Sequence, residues 1–476
     1  MSSTPEYRSP FSLFPLIGIP VFLAISNQTM VSVALPDIGA DLGQLRRLPW
    51  LVTGYLIAGT VAGPVYGVLG DTWGRARLLM LALGLYIIGS LACAIAGDLT
   101  LLAAARLLQG LAGGGLISLS QALIGDAVAP RQRGRAQGMI AMISVIASTL
   151  GPVLGGVVVA AMGWRAMFVI TALPAFAAMA VLARYKIPHA AAEHRKFDTG
   201  GFLALLAFVL CGTLAIEAAT EDGGLVWVVL GLLGAAAGFV GLLGTQRRAR
   251  NPLFPPDLFA LKPIRLVSLQ VVCHGAALVS LVTLIPLFHA ILRTDGALET
   301  AMTMLALTVA FGVSGFITGN LITWTGRTVL FPSVTLAISA LGIVFLGVYG
   351  PGLSRPALMA TYLLIGLSNG TGMAVMNTIV LYASPDALRG RAAGAVTFFR
   401  SVGAVLGTAL TSAVLFALAP HQPGVDASTI LGGEATVDPQ MLAQWRWAFS
   451  GAFFCIAFYV AGGWLMALLN PLRRVE

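Results

Sequence analysis

The sequence predicts an all-α membrane protein of fourteen transmembrane helices, grouped six, two and six, with both termini on the cytoplasmic side. Three observations predict it. Of 476 residues, 58% are hydrophobic and only 10% charged, against about 25% charged in an ordinary soluble domain, so there is too little charge to cover a water-facing surface. Fourteen apolar stretches reach the roughly 20 residues a helix needs to cross a bilayer. The basic residues then alternate from side to side between those stretches, as the positive-inside rule requires.

The stretches run over 11–35, 49–69, 78–97, 99–122, 137–161, 165–185, 199–219, 225–245, 266–290, 299–322, 328–349, 357–382, 393–419 and 447–469. The first follows ten polar residues and is too long for a signal-peptide core, so it reads as an uncleaved span. With the termini inside, the cytoplasmic segments hold Arg75 and Arg77, then Arg131, Arg133 and Arg135, then Arg184, Lys186, Arg195 and Lys196, and later groups up to Arg473 and Arg474. The outer segments hold only Arg46, Arg47, Arg165, Arg293, Arg355 and Arg446, while Arg106 and Arg400 fall inside spans. The charged segment 185–198 and the basic, proline-rich segment 245–265 enclose just two spans. The expected domains are therefore a six-helix bundle over 1–185, an inserted pair over 186–264 and a second six-helix bundle over 265–476. The polar stretch 419–444 is read as a longer outer loop.

The net charge of +9 does not point to nucleic acid, because the basic residues are scattered between apolar runs with no aromatic interleaving. Cys93, Cys211, Cys273 and Cys455 lie far apart in apolar runs, with no disulfide framework or zinc spacing. No metal, no cofactor and no clustered catalytic set is expected, so an enzyme is disfavoured. A monomer in the inner membrane is expected, with lipid around it.

The short stretch Gly67–Arg77, reading GVLGDTWGRAR, is expected to be a tight loop between the second and third spans. Gly67 and Gly74 allow sharp turns, Asp71 can accept from helix-start amides, and Arg75 can pair with an acid at the same face, with Asp126 in register for it. A solvated turn explains the same residues equally well. Arg106, in the fourth span, lies roughly 10 Å deep at 1.5 Å per residue. An intramembrane arginine is a functional hypothesis by default, with snorkelling to the headgroups as the alternative. The glycines that follow it thin the helix for a neighbour. In the fifth span Ala147, Gly151 and Gly155 share one face, next to Pro152 and Gly156. That smooth face suits two halves that rock, and it suits static packing as well.

Together these motifs resemble the major facilitator superfamily, and most closely its fourteen-helix drug:proton antiporter branch. Further matches are TMVSVALP over 29–36, Trp50 and Tyr55, Trp164 and Arg165, the RKFD run over 195–198, and Arg400 with Gly403 and Gly407. The resemblance implies two pseudo-symmetric bundles around a central cavity, working by alternating access. It implies a latch of Asp71, Arg75 and Asp126, a proton-handling role for Arg106, and a leak-blocking fifth helix. The partners implied are protons and an amphipathic small molecule that is exported. The alternative is a dedicated metabolite or lipid transporter of the same fold, without proton coupling.

The chain departs from that branch where it matters for coupling. Asn27 stands where the first helix usually carries an aspartate, and asparagine cannot ionise. Thr323 replaces an acid in the second-half counterpart of the loop motif. Glu217 is the one acid placed clearly inside a span, and it lies in the inserted pair. Candidate proton carriers are thus Arg106 with its partners, Asp71 with Asp126, or Glu217. His274 and His289 titrate in the right range, although a lone histidine is more often structural. Asn27, Tyr55, Gln109, Asn369, Asn377, Phe399 and Arg400 are the residues expected to face substrate.

Overall fold

A computed structural model of the protein describes residues 10–127, 133–184, 198–219, 224–249, 252, 256–385, 389–420 and 439–474. Among them are fourteen helices long and apolar enough to span a membrane. They are α1 (Pro10–Leu42), α2 (Pro49–Trp73), α3 (Arg75–Ala94), α4 (Leu99–Ala127), α5 (Arg133–Met162), α6 (Trp164–Arg184), α7 (Thr199–Ala218), α8 (Leu225–Arg248), α9 (Lys262–Arg293), α10 (Ala297–Thr325), α11 (Leu330–Tyr349), α12 (Arg355–Ala383), α13 (Arg389–Leu418) and α14 (Pro439–Leu469). Helix is the required choice, because lipid offers no partner to a backbone amide and each segment must satisfy its own.

Several boundaries differ from the sequence reading: the last helix begins at Pro439, inside the stretch 419–444 expected as a loop, and two other differences bear on the site. Helix α1 runs on past Pro36 and stops at Gly43, whose φ of +72° supplies the left-handed residue that ends a helix. Asp37 therefore lies within a span. The expected loop over Gly67–Arg77 is almost entirely helical: α2 continues to Trp73, α3 begins at Arg75, and only Gly74 lies between them. Gly67 is inside α2 and makes no turn. The whole corner is made at Gly74, with φ +95°, a value a side chain strongly disfavours. In the second set of six Gly326 (φ +65°) ends α10 in the left-handed region, and three further residues precede α11.

The chain forms two compact units, Met1–Ile38 with Trp50–Phe197, and Gly39–Pro49 with Asp198–Glu476. Each contains the same three helix pairings. In the first, α2 crosses α4, α1 crosses α5, and α3 lies along α6. In the second, α10 crosses α12, α9 crosses α13, and α11 lies along α14. The crossings are backbone on backbone. A methyl group at Gly110 or Gly114 would enter the Tyr55 and Gly59 carbonyls, and one at Gly366 or Gly370 would enter those of Leu307 and Phe311. Small residues at such contacts are what membrane helices use, since lipid supplies no hydrophobic drive to bring them together. The α7–α8 pair packs on itself, then through Gly212 on Leu406 of α13, and so groups with the second unit. Asp198 clasps its near end by accepting from the Gly201 amide at 2.8 Å and from Gln246 Nε2 at 2.7 Å.

A test follows from the crossings. Gly114→Val should force α2 off α4 and lower stability by about 1–3 kcal/mol, the usual range for overpacking. Gly84→Ala, with open space at its Cβ position, should leave stability unchanged or slightly raised. Thermal unfolding of the purified variants in detergent measures both, and equal melting temperatures would refute the crossing as a packing constraint.

Candidate functional site

The α2–α4 crossing decides the setting of Arg106. Because Gly110, Gly113 and Gly114 leave no side chain in the way, α2 reaches the α4 backbone and lays Tyr55 over the arginine. The guanidinium carbon sits 4.3 Å from the Tyr55 ring centroid, and the Tyr55 hydroxyl donates to the Ala24 carbonyl of α1 at 2.9 Å. Arg106 Nε donates to the Leu51 carbonyl at 3.0 Å. Its Nη1 donates to Asn27 Oδ1 and to Gln109 Oε1. Gln109 in turn donates from Nε2 to Ser90 Oγ of α3 at 2.7 Å. Four helices thus converge on one cation.

Arg106, Asn27 and Gln109 are all completely buried, which removes the snorkelling reading. No carboxylate takes part in this set. The charge is held by neutral acceptors and an aromatic face. Charge-assisted hydrogen bonds contribute roughly 1.5–3 kcal/mol each and a desolvated cation–π contact about 2 kcal/mol, against an effective several kcal/mol for burying the ion. The balance is incomplete, because Arg106 Nη2 and Asn27 Nδ2 are buried with no hydrogen-bond partner. The sequence reading named Asn27, Tyr55, Arg106 and Gln109 separately; the structure brings them into one cluster and adds Ser90 and the Leu51 carbonyl, which carry no sequence signal.

At the other end of α4, Arg75 Nη1 donates to the Ala122 carbonyl at 2.6 Å. That contact holds the Gly74 corner against α4, one helical turn before Asp126. Asp71 and Asp126 lie on the last turns of α2 and α4, and Glu217 lies near the end of α7; the side chains of all three fall outside the described residues. The glycine seam of α5 faces α1. A methyl at Gly151 would meet Thr29 and the Ser26 carbonyl, and one at Gly155 would meet the backbone of Met30. Pro152 and Gly156 are buried beside them. The seam is therefore occupied inside the first unit as a backbone contact of α5 with α1, the packing role that the sequence offered beside rocking.

In the second unit the named residues do not gather. Asn369 is buried and donates to Ser339 Oγ of α11 at 2.7 Å, a clamp between α12 and α11. Asn377 is exposed on α12, and Phe399 and Arg400 are half-buried on α13. Phe399 packs edge-on against Phe259, centroids 5.6 Å apart. The backbone carbonyl of Arg400 fills the place a Gly275 side chain would take. His274 stacks on Phe311 with its Nε2 buried and unpartnered.

A cluster missed by the motif reading lies where α9 meets α10. His289 Nδ1 is 2.7 Å from Asp295 Oδ2, and its Nε2 is 3.0 Å from the Tyr362 hydroxyl of α12. Arg293 and Arg355 both reach Asp295 at 3.3 Å, and Arg355 also reaches Glu299 at 3.1 Å. The hydrogen bond from His289, helped by Arg293 and opposed by burial, holds the Asp295 carboxyl below its ordinary range. The one available sequence signal was spacing: a histidine, two arginines and two acids at a single membrane face.

One prediction concerns the first unit. Asn27→Asp places a carboxylate against Arg106 Nη1, and should raise the thermal unfolding temperature at neutral pH. The gain should disappear in acid as the new carboxyl protonates. A lower unfolding temperature would mean that neutral partners already balance the charge.

Comparison with known proteins gives a consistent picture. A family model described as Major Facilitator Superfamily matches residues 17–408. An uncharacterized MFS-type transporter of Mycobacterium tuberculosis is 30% identical over 488 residues, covering 97% of this chain and 69% of its own length. The multidrug transporter protein MdtP of Bacillus subtilis is 27% identical over 403 residues, covering 83% and 74%. Among solved structures, a peptide transporter POT in complex with sulfate superposes with a TM-score of 0.68 at 15% identity, covering 99% of this chain and 98% of that one. A D-xylose-proton symporter superposes at 0.65 with 13% identity, covering 98% and 99%; at such identities the likeness is one of fold.

Proposed function

We propose, since the chain belongs to the Major Facilitator Superfamily, that this multi-pass membrane transporter is a secondary active exporter of amphipathic small molecules, working by alternating access and driven by protons. Relatives named as multidrug transporters and efflux pumps support export. The observation that carries the reading is Arg106. A membrane protein built only to pack would not bury an arginine completely and leave part of it unsatisfied, since such residues in spans are costly and mark functional sites.

Three elements have distinct roles in this reading. Asp71, Arg75 and Asp126 latch the Gly74 corner to α4, and the reach of Arg75 to Ala122 supports that register. Arg106, with Asn27, Tyr55 and Gln109, is a charged core that senses its surroundings. Asn377, Phe399 and Arg400 keep an open side; polar and charged groups there fit a water-filled cavity better than lipid, and we assign them to substrate contact. Among the described residues Arg400 has no ion-pair partner. Each unit thus holds one arginine that no carboxylate among the described residues balances, which favours neutral or anionic amphipaths over organic cations. That same observation, together with Asn27, favours the second reading, a dedicated transporter of an acidic metabolite or lipid.

Reconstituted liposomes with an imposed pH gradient test the proposal. Efflux of a neutral or anionic lipophilic dye should fall at least several-fold when the gradient is collapsed, and cationic dyes should move poorly. Dye movement indifferent to the gradient would remove proton coupling. Asp71→Asn should slow transport several-fold with the melting temperature unchanged, and wild-type rates in that variant would count against the latch.

A further inference from the structure

Asn27, the residue beside Arg106, cannot ionise, so a coupling proton needs an ionisable group elsewhere. Two histidines face the interior of the second unit. His274 is stacked on Phe311 and its buried Nε2 has no hydrogen-bond partner among the described residues. His289 is different, because both of its nitrogens are engaged. Its side chain is 1% exposed, whereas that of Asp295 in front of it is 10% exposed. The carboxylate is the group that meets water and the imidazole is the group behind it.

The backbone is shaped to make this contact. Helix α9 ends with Thr294 in the left-handed region at φ +53°, and it is one of two such residues besides glycine among those described. A threonine there is strained, since β-branched side chains disfavour positive φ. The amides of Thr294 and Asp295 both turn back to the His289 carbonyl, and this reversal swings the Asp295 side chain onto the His289 ring. Strain of this kind persists where the surroundings hold it for a purpose.

We propose that His289 and Asp295 together form a proton-binding site at the α9–α10 corner, and that this couple takes up the coupling proton. The inference rests on the proton-driven reading above. The groups facing His289 are Asp295 from the corner, Arg293 from its own helix, and Tyr362 and Arg355 from α12, with Glu299 of α10 reached through Arg355. From α14, Phe449 and Phe453 pack on Phe288, whose ring lies edge-on to His289. Without the extra proton, Nδ1–H donates to the carboxylate and Nε2 accepts from the Tyr362 hydroxyl. The couple titrates as a unit. Once the ring is protonated, Nε2–H becomes a donor toward the Tyr362 oxygen, and the tyrosine hydrogen has to turn away. Tyr362 is completely buried, and among the described residues its hydroxyl bonds only to His289. Proton uptake therefore reverses that hydrogen bond, strengthens it by charge and strands the tyrosine hydrogen, so the α9–α12 contact has to rearrange. Binding of a proton is converted into a change in helix contact.

Two measurements on the full-length protein test this. Nitrogen-15 histidine NMR in nanodiscs, with His289→Gln used for assignment, should show the His289 ring titrating between about pH 5 and 8, the range in which histidine changes charge. Asp295→Asn removes the anion that stabilises the charged ring, so the midpoint should move to lower pH by at least about one unit. In liposomes, His289→Gln should lose at least tenfold of gradient-driven dye transport, and Asp295→Asn should move the pH profile in the same direction as the NMR midpoint. A His289 signal that stays fixed from pH 4 to 9 overturns the site. Undiminished gradient dependence in His289→Gln also overturns it while the proton-driven reading stands. Wild-type transport indifferent to the gradient, with His289 still titrating, removes the coupling role along with that reading.

Discussion

Helices in lipid have no water to exclude from between them, and they associate only where their backbones come close enough for dispersion contacts. The glycine crossings meet that constraint, and the rest of the architecture follows from them. Gly110 and Gly114 allow α2 onto α4, Gly366 and Gly370 allow α10 onto α12, and Gly151 with Gly155 and Gly403 with Gly407 do the same for α5 on α1 and α13 on α9. The repetition of this pattern in each half is the internal symmetry expected of a transporter of this superfamily. It also fixes where chemistry can occur. Arg106 is stacked on Tyr55 because the crossing leaves nothing but a ring face between the two helices.

Each unit carries an arginine with no carboxylate partner among the described residues. Arg106 is completely buried among neutral acceptors, and Arg400 lies half-buried. Asn27 supplies an oxygen to the guanidinium but no negative charge. The acids of the described helices stand toward helix ends, Asp37 in the last two turns of α1 and Glu299 in the first turn of α10, with Asp295 in the corner before it.

Much of the fold was legible because lipid makes sequence unusually informative: apolar length gives the spans and arginine placement gives their alternation. Boundaries were less legible. Pro36 is a stop signal in water, yet α1 continues past it, because leaving helix inside a membrane exposes more backbone than one missing amide. The polar run at Gly67–Arg77 looked like a loop by composition, but a single glycine with positive φ suffices to turn the chain. At the site, Arg106 announced itself by its depth, whereas its partners did not: a serine on α3 and a backbone carbonyl on α2 are ordinary until the helices are placed. The glycines of α5 were visible in sequence, but not which helix they touch. His289 and Asp295 are six residues apart across a helix end, and only the left-handed Thr294 brings them together.

The corners at Gly74 and Gly326, each turned by a positive-φ glycine, are fastened differently. Gly74 is followed by Arg75, whose cationic side chain grips α4. After Gly326, by contrast, Thr328 is tied by its amide and hydroxyl to the carbonyls of Arg473 and Leu472, and Arg327 bridges Arg474 along the main chain. A side chain that reaches a carbonyl is lost with one substitution, whereas an amide-to-carbonyl tether survives every replacement except proline, because each other residue brings its own N–H. Likeness of pattern thus conceals one corner that a single mutation can unfasten and another that keeps its main-chain tie.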